Sequence, residues 1–251
     1  MKQFPLEHKI AVVTGCAGGI GAGIALGLAE AGADIVGVDI QNLEETANRV
    51  RETGRVFYTF EVDLSDREAI DAAWKKILET AGGVDVLVNN AGMQFRQNAY
   101  EYPLDVFDKV IAVNLRAGYQ LAQLAANHYR AEKKRGKIIN LASLFSTFGG
   151  VNVSGYTCSK HGVVGMTRAL SNEFAADGIC VNALAPGYIA TELTKSIWSD
   201  PEKSRPMDER IPMGRWGKTE DFAGPAVFLA SEASDYVSGI VLPVDGGYSA
   251  R

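Results

Sequence analysis

Short apolar runs alternate along the chain with longer stretches in which apolar residues recur every three or four positions. Residues 10–14 form a β-branched run that reads as a strand and ends in glycines. Over 19–31 the apolar residues Ile20, Ile24 and Leu28 fall at helical spacing, so strand, glycine turn and helix follow in that order. The rhythm continues with a strand over 34–39, a polar helix over 43–52 whose inner stripe is Leu43, Ala47 and Val50, and a strand over 56–62. Ser65 is the expected N-cap of a helix running to about Thr80, with Glu68 three residues on completing a capping box. Beyond it the pattern predicts a fourth strand over 84–88, one long helical region over 104–132 and a fifth strand over 137–141. A long helix over 156–176 and strands over 180–184 and 240–244 complete the set.

Strands this short and this uniformly apolar belong inside a parallel sheet covered on both faces. The expected fold is therefore α/β: a Rossmann-type doubly wound parallel sheet of seven strands with helices on both faces. No linker, repeat or low-complexity stretch divides the chain, so residues 1–251 are expected to form a single domain. Residues 189–213 break the rhythm. They hold Pro201, Pro206 and Pro212 together with Lys195, Lys203, Arg205 and Arg210, and Arg215 lies just beyond. A stretch of this length and composition is expected to be a short helical lid.

Composition narrows the choice of partner. The 251 residues are 47% hydrophobic and 22% charged, the balance of an ordinary globular protein, and the formal charge of -5 comes without a dense Lys/Arg run. That argues against nucleic acid as a partner. No apolar stretch is long enough to span a membrane, and residues 1–8 carry charge and a proline where a secretion signal would be apolar. A cytoplasmic location is expected. Cys16, Cys158 and Cys180 are odd in number and lack a CxxC pair, and His8, His128 and His161 are as scattered, so neither a disulfide scaffold nor a metal site is expected.

Three features carry chemistry. The run Thr14-Gly15-Cys16-Ala17-Gly18-Gly19-Ile20-Gly21 lies between the first strand and its helix, where glycines let the backbone approach a pyrophosphate and the helix N-terminus offers free amides. No Gly-Lys-Ser/Thr follows, which excludes a Walker loop. Asp39 closes the second strand 18 residues beyond Gly21, the distance expected for an acid that binds the adenosine ribose. With no Arg or Lys in the glycine run or directly after Asp39, the carboxylate is expected to repel a 2′-phosphate and select NAD over NADP. Tyr156 and Lys160 stand four apart at a helix start and share a face, so the ammonium is expected to favour the phenolate. Ser143, at the end of the fifth strand, is placed to hold a reacting oxygen.

With these features the sequence resembles the short-chain dehydrogenases/reductases over nearly its whole length. The likeness extends to Asn89-Asn90-Ala91-Gly92, to Asn114, to Pro186-Gly187 with Thr191, and to Asp245-Gly246-Gly247. The resemblance implies Tyr156 as general base for alcohol oxidation and general acid for carbonyl reduction, with Ser143 holding the substrate oxygen. It implies Lys160 on the nicotinamide ribose, and Asn114 holding a water that links the lysine to solvent. For the cofactor it implies Gly15, Gly19, Ile20 and Gly21 at the pyrophosphate, Asp39 at the ribose and Asp63-Leu64 at the adenine. Asn90 and Gly92 would lie beside the nicotinamide, and Pro186, Ile189 and Thr191 at its carboxamide. It also implies a homotetramer.

Within the family the chain resembles the sugar-acid dehydrogenases, through Thr14-Gly15-Cys16, through Arg210-Ile211-Pro212 leading to Gly214-Arg215-Trp216-Gly217, and through 231–239. The later parts of that pattern recur in gluconate and polyol dehydrogenases, which remain an alternative. A 3-oxoacyl or steroid reductase fits the polar 94–97 stretch less well, and a non-catalytic dinucleotide sensor would be free to lose Tyr156 or Lys160. A sugar acid needs a cation for its carboxylate. Gln94 and Arg96 are the first candidates to face it, and Lys203 and Arg205 in the lid are the alternatives.

Overall fold

The computed structural model describes residues 4–251, the side chain of Leu193 excepted; residues 1–3 of the charged stretch 1–8 lie outside the described residues. Seven parallel strands form one sheet in the order β3-β2-β1-β4-β5-β6-β7. They are β1 (Ile10–Thr14), β2 (Asp34–Asp39), β3 (Phe57–Glu61), β4 (Val86–Asn89), β5 (Gly136–Leu141), β6 (Ile179–Pro186) and β7 (Val241–Val244). Successive residues of a strand point to opposite faces, and both faces are buried. Ala11 and Val13 join one core with Ile24, Leu28 and Phe222, whereas Val12 joins the other with Trp74, Leu121 and Ile138.

Helices α1 (Gly19–Glu30), α2 (Glu44–Glu52) and α9 (Ala223–Ala230) contribute to the first core. Those of the second core are α3 (Arg67–Ala81), α5 (Ala117–Ala131) and α6 (Ser154–Phe174). Helix α1 approaches α9 closely because Gly27 has no side chain: a Cβ there would lie 2.5 Å from that of Ala223. The order of the strands reverses between β1 and β4. Their carboxyl ends therefore open a crevice, the place where ligands bind in sheets of this kind.

Two helix boundaries differ from expectation, each for a local reason. Asp63 Oδ1 captures the backbone N–H of Ser65 at 2.8 Å, so α3 begins one residue later and Asp66 is its N-cap, accepting from the N–H groups of Glu68 and Ala69. The region 104–132 is not one continuous α-helix. It comprises α4 (Leu104–Ile111), a π turn (Ala112–Arg116) and α5, with Asn114 inside the wide turn. The proline-rich segment folds as a 3-10 turn (Glu192–Thr194), α7 (Lys195–Trp198) and α8 (Pro201–Asp208). No helix among the described residues is long and apolar enough to cross a membrane.

Candidate active site

The crevice holds a cleft of about 600 Å³ running from the end of β2 to the end of β6. Its floor is the glycine turn. Gly15 and Gly19 have φ of +66° and +57°, a left-handed backbone that glycine tolerates best. A Cβ on Gly21 would stand 2.2 Å from Gly15 O, so only glycine fits where α1 folds back on the turn. At Gly18, which lines the cleft, a Cβ would meet nothing within 4 Å. Bare backbone at a helix N-terminus is a fitting cradle for a pyrophosphate. A dinucleotide would be held there by Gly15, Gly19, Ile20 and Gly21.

Asp39 and the Asp63–Leu64 pair line one end of the cleft. Asp39 is already engaged: Oδ2 accepts the N–H of Ala17 at 2.9 Å and Oδ1 that of Gln41 at 3.0 Å. Asp63 sits well below the usual carboxylate range, chiefly through hydrogen bonding from Ser65. Gly92, Pro186, Ile189 and Thr191 line the opposite end. Asn90 lies between, and its Nδ2 donates to Thr14 O at 2.9 Å and Gly15 O at 2.8 Å, tying β4 to the glycine turn. Thr14 completes this tie, since its Oγ1 accepts the N–H groups of Asn90 and Ala91.

Ser143, Tyr156 and Lys160 line the same end. Lys160 Nζ donates to Leu141 O at 2.6 Å and lies 5.6 Å from the centroid of the Tyr156 ring. Burial lowers the Lys160 ammonium to about 8. Burial also pushes the Tyr156 phenol above its ordinary value, and hydrogen bonding from Ser143 pulls it partly back. The depressed phenol expected from the lysine is thus corrected for the chain by itself, because desolvation of the buried phenol is the largest effect on it.

Asn114 stands behind this group. Its Oδ1 accepts the N–H of Met93 at 2.8 Å, and its Nδ2 donates to Met93 O at 2.9 Å and Ser159 Oγ at 3.0 Å. The π turn therefore ties the loop after β4 to α6. The sequence pattern did not single out Ser146, whose Oγ accepts the N–H of Ser143 at 3.1 Å and donates to Lys160 O at 2.8 Å. Its signal was the Ser-x-x-Ser spacing of a capping box at the end of a strand.

The four substrate candidates lie outside the cleft lining. Gln94 and Arg96 are on the loop after β4, with Arg96 exposed. Lys203 pairs with Asp200 at 2.8 Å and Arg205 with Glu209 at 3.1 Å, each within the exposed surface of the α8 region, so neither is a free cation aimed at a ligand.

The family model described as enoyl-(acyl carrier protein) reductase matches residues 15–249. The chain belongs to the short-chain dehydrogenases/reductases. It is 47% identical over 251 residues to the 2-dehydro-3-deoxy-D-gluconate 5-dehydrogenase of Escherichia coli, covering 100% of this chain and 99% of the relative. An Agrobacterium tumefaciens structure, provisionally assigned as a 2-deoxy-D-gluconate 3-dehydrogenase with bound NADP, has 43% identity and a TM-score of 0.94 over 100% of both chains. The gluconate 5-dehydrogenase of Burkholderia cenocepacia in complex with NADP and tartrate has 37% identity and a TM-score of 0.93, over 100% of this chain and 98% of the other. As a member of this family the protein is an NAD(P)-dependent dehydrogenase acting on a hydroxyl group.

These structures correct the expectation of NAD. Both of these similar short-chain dehydrogenases hold NADP, so an acidic, cation-poor ribose end cannot be read from this sequence as excluding a 2′-phosphate. The physical reason lies in Asp39. Each of its oxygens already accepts a backbone N–H, and Gln41, which lines the cleft beside it, adds an amide donor.

Proposed function

We propose that the protein is an NADP-dependent dehydrogenase of the 2-deoxy-D-gluconate 3-dehydrogenase or 2-dehydro-3-deoxy-D-gluconate 5-dehydrogenase type, interconverting a secondary alcohol and a ketone on a sugar acid. One observation carries this reading: Ser143, Tyr156 and Lys160 meet the glycine turn in one cleft, in a chain alike over its whole length to a sugar-acid dehydrogenase. The dinucleotide, when bound, supplies the nicotinamide carbon that takes or gives the hydride. The Tyr156 phenol oxygen takes the hydroxyl proton in oxidation and returns it in reduction, while the Ser143 hydroxyl holds the substrate oxygen. Lys160 holds the nicotinamide ribose and steadies the charge on Tyr156. Asn114 fixes the loop after β4 and holds the water through which Lys160 exchanges protons.

Arg96 is the first candidate for the substrate carboxylate, following the loop at the end of β4. Tartrate in the B. cenocepacia relative is itself a hydroxy acid, which supports a site for that chemistry. Residues 189–213 act as a lid over a single catalytic domain in the cytoplasm. The assembly we read is a homotetramer. Leu121, Ala122, Ala125 and Ala126 face the protein's own sheet, which leaves the exposed Leu104 and Tyr119 as the apolar residues that α4 and α5 offer a neighbour.

The test is a panel of sugar acids, neutral polyols and hydrophobic alcohols assayed with NADP, in the parent and in Tyr156→Phe. The parent is expected to turn over a sugar acid best, and the variant, which keeps the ring but loses the titrating oxygen, to fall about 10²-fold or more. A preference for hydrophobic alcohols would instead favour a 3-oxoacyl or steroid reductase.

A further inference from the structure

Among the basic residues of 195–215, one differs from the rest. Lys195 pairs with Glu192, Lys203 with Asp200, Arg205 with Glu209 and Arg215 with Asp221. Arg210 has no carboxylate partner among the described residues. Its guanidinium carbon lies 4.5 Å from the centroid of the Tyr248 ring. A guanidinium held against a ring is attracted through its face, which leaves the N–H groups along its edges free for a planar acceptor.

The platform under Arg210 lies outside the cleft lining, as Arg96 does, but its residues directly follow strand ends and neighbours that line the reacting end: Leu144 is next to Ser143, and Tyr188 lies between Gly187 and Ile189. Tyr248 follows the end of β7, Tyr188 the end of β6, and Leu144 is the neighbour of Ser143 after β5. Tyr248 is buried with Leu144 and Ile211, its ring centroid lies 5.3 Å from that of Tyr188, and Tyr188 lies 5.2 Å from Trp216. The ends of β6 and β7 thus supply two rings, Tyr188 and Tyr248, packed against Leu144 next to Ser143, with one guanidinium that has no carboxylate partner among the described residues resting on Tyr248. Burial raises the Tyr188 phenol, and the charges of both Arg210 and Arg96 act to lower it, which places both cations near that hydroxyl.

We infer that Arg210, held on Tyr248, is a specificity-determining residue that reads the substrate's carboxylate, with Arg96 approaching from the loop after β4; this rests on the sugar-acid reading above. Its fork matches a carboxylate in geometry as well as charge, and the Tyr188 and Tyr248 hydroxyls offer donors and acceptors to a polyol chain. The sequence hid this role because Arg210 stands 67 residues beyond Ser143, in a run of cations that carry no sign of which are paired.

Calorimetric binding to the Tyr156→Phe protein saturated with NADP isolates recognition from turnover. D-Gluconate is the acidic probe, 2-deoxy-D-gluconate a second acid, and D-glucitol the neutral counterpart. Arg210→Met is expected to weaken the acids about ten- to a hundredfold relative to D-glucitol, and Arg210→Lys, which keeps the charge and loses the fork, to recover part of that loss. A residue that merely secured Tyr248 would weaken acid and polyol alike. Equal losses, or an Arg210→Met protein that binds the acids within about threefold of its parent, would overturn the inference and leave the function intact. A parent that binds no sugar acid would overturn the proposed function and the inference with it.

Discussion

Asp39 closes over the glycine turn, with Oδ2 2.9 Å from the backbone nitrogen of Ala17. Together with the bond from Gln41 N–H to Oδ1, this makes the carboxylate a fastener of the turn it faces. The two roles of Asp39 predict opposite signs. Were repulsion of a 2′-phosphate its main effect, Asp39→Ala would tighten NADP. As a fastener, its loss frees two N–H groups and loosens the turn, so NADP affinity is expected to fall about tenfold, the scale of one charge-assisted hydrogen bond. Asp39→Asn keeps one acceptor and is expected to lose less. Fluorescence titration of NADP into the three proteins measures the order.

The sheet was legible because its signal is local. Apolar runs of four to eight residues mark 10–14, 34–39 and 137–141 as strands whatever else the chain does, and the glycines after Thr14 mark the turn that the crevice needs. Asn114 shows where such reading stops. Its residues have ordinary helical spacing, and within the π turn the Asn114 side chain bonds both backbone groups of Met93, a contact with a loop that periodicity does not encode. At Ser65 the local signal was ambiguous, since Asp63, Ser65 and Asp66 are all capping residues within four positions; Asp63 takes the N–H of Ser65 itself, and Asp66 takes those of Glu68 and Ala69. Cofactor choice misled for a further reason: Asp39 closes β2 at the cleft, but what its oxygens bond to is set only by the fold.

Ser146 is assigned no contact with cofactor or substrate, yet its hydroxyl joins the Ser143 backbone to that of Lys160. Ser146→Ala removes the acceptor of one and the donor to the other. Each such bond is worth about 1 kcal/mol, and their loss lets Ser143 drift from the Tyr156 oxygen. The expected outcome is a fall in kcat of about tenfold, with NADP affinity within about twofold of the parent. Ser146→Thr, which keeps the hydroxyl, should recover most of the rate. Steady-state kinetics with an NADP titration on the same proteins separates this from a general loss of folding.

Lys160 gives the pH dependence. Burial lowers its ammonium from 10.5 to about 8 in the folded chain, while in the unfolded chain it returns to its ordinary range. Below about pH 8 both states hold the proton, and the folded state bears the full cost of the buried charge. Between about 8 and 10.5 the unfolded chain binds more protons than the folded one, so this group makes stability rise with pH. Lys160→Met removes the buried charge. The variant is expected to be the more stable protein at pH 7, by up to about 3 kcal/mol, and the advantage should shrink steadily as the pH approaches 10.5. Urea unfolding of parent and variant at intervals across that range reads the difference directly, and a gap that stayed constant would show that the ammonium is not desolvated in the folded chain.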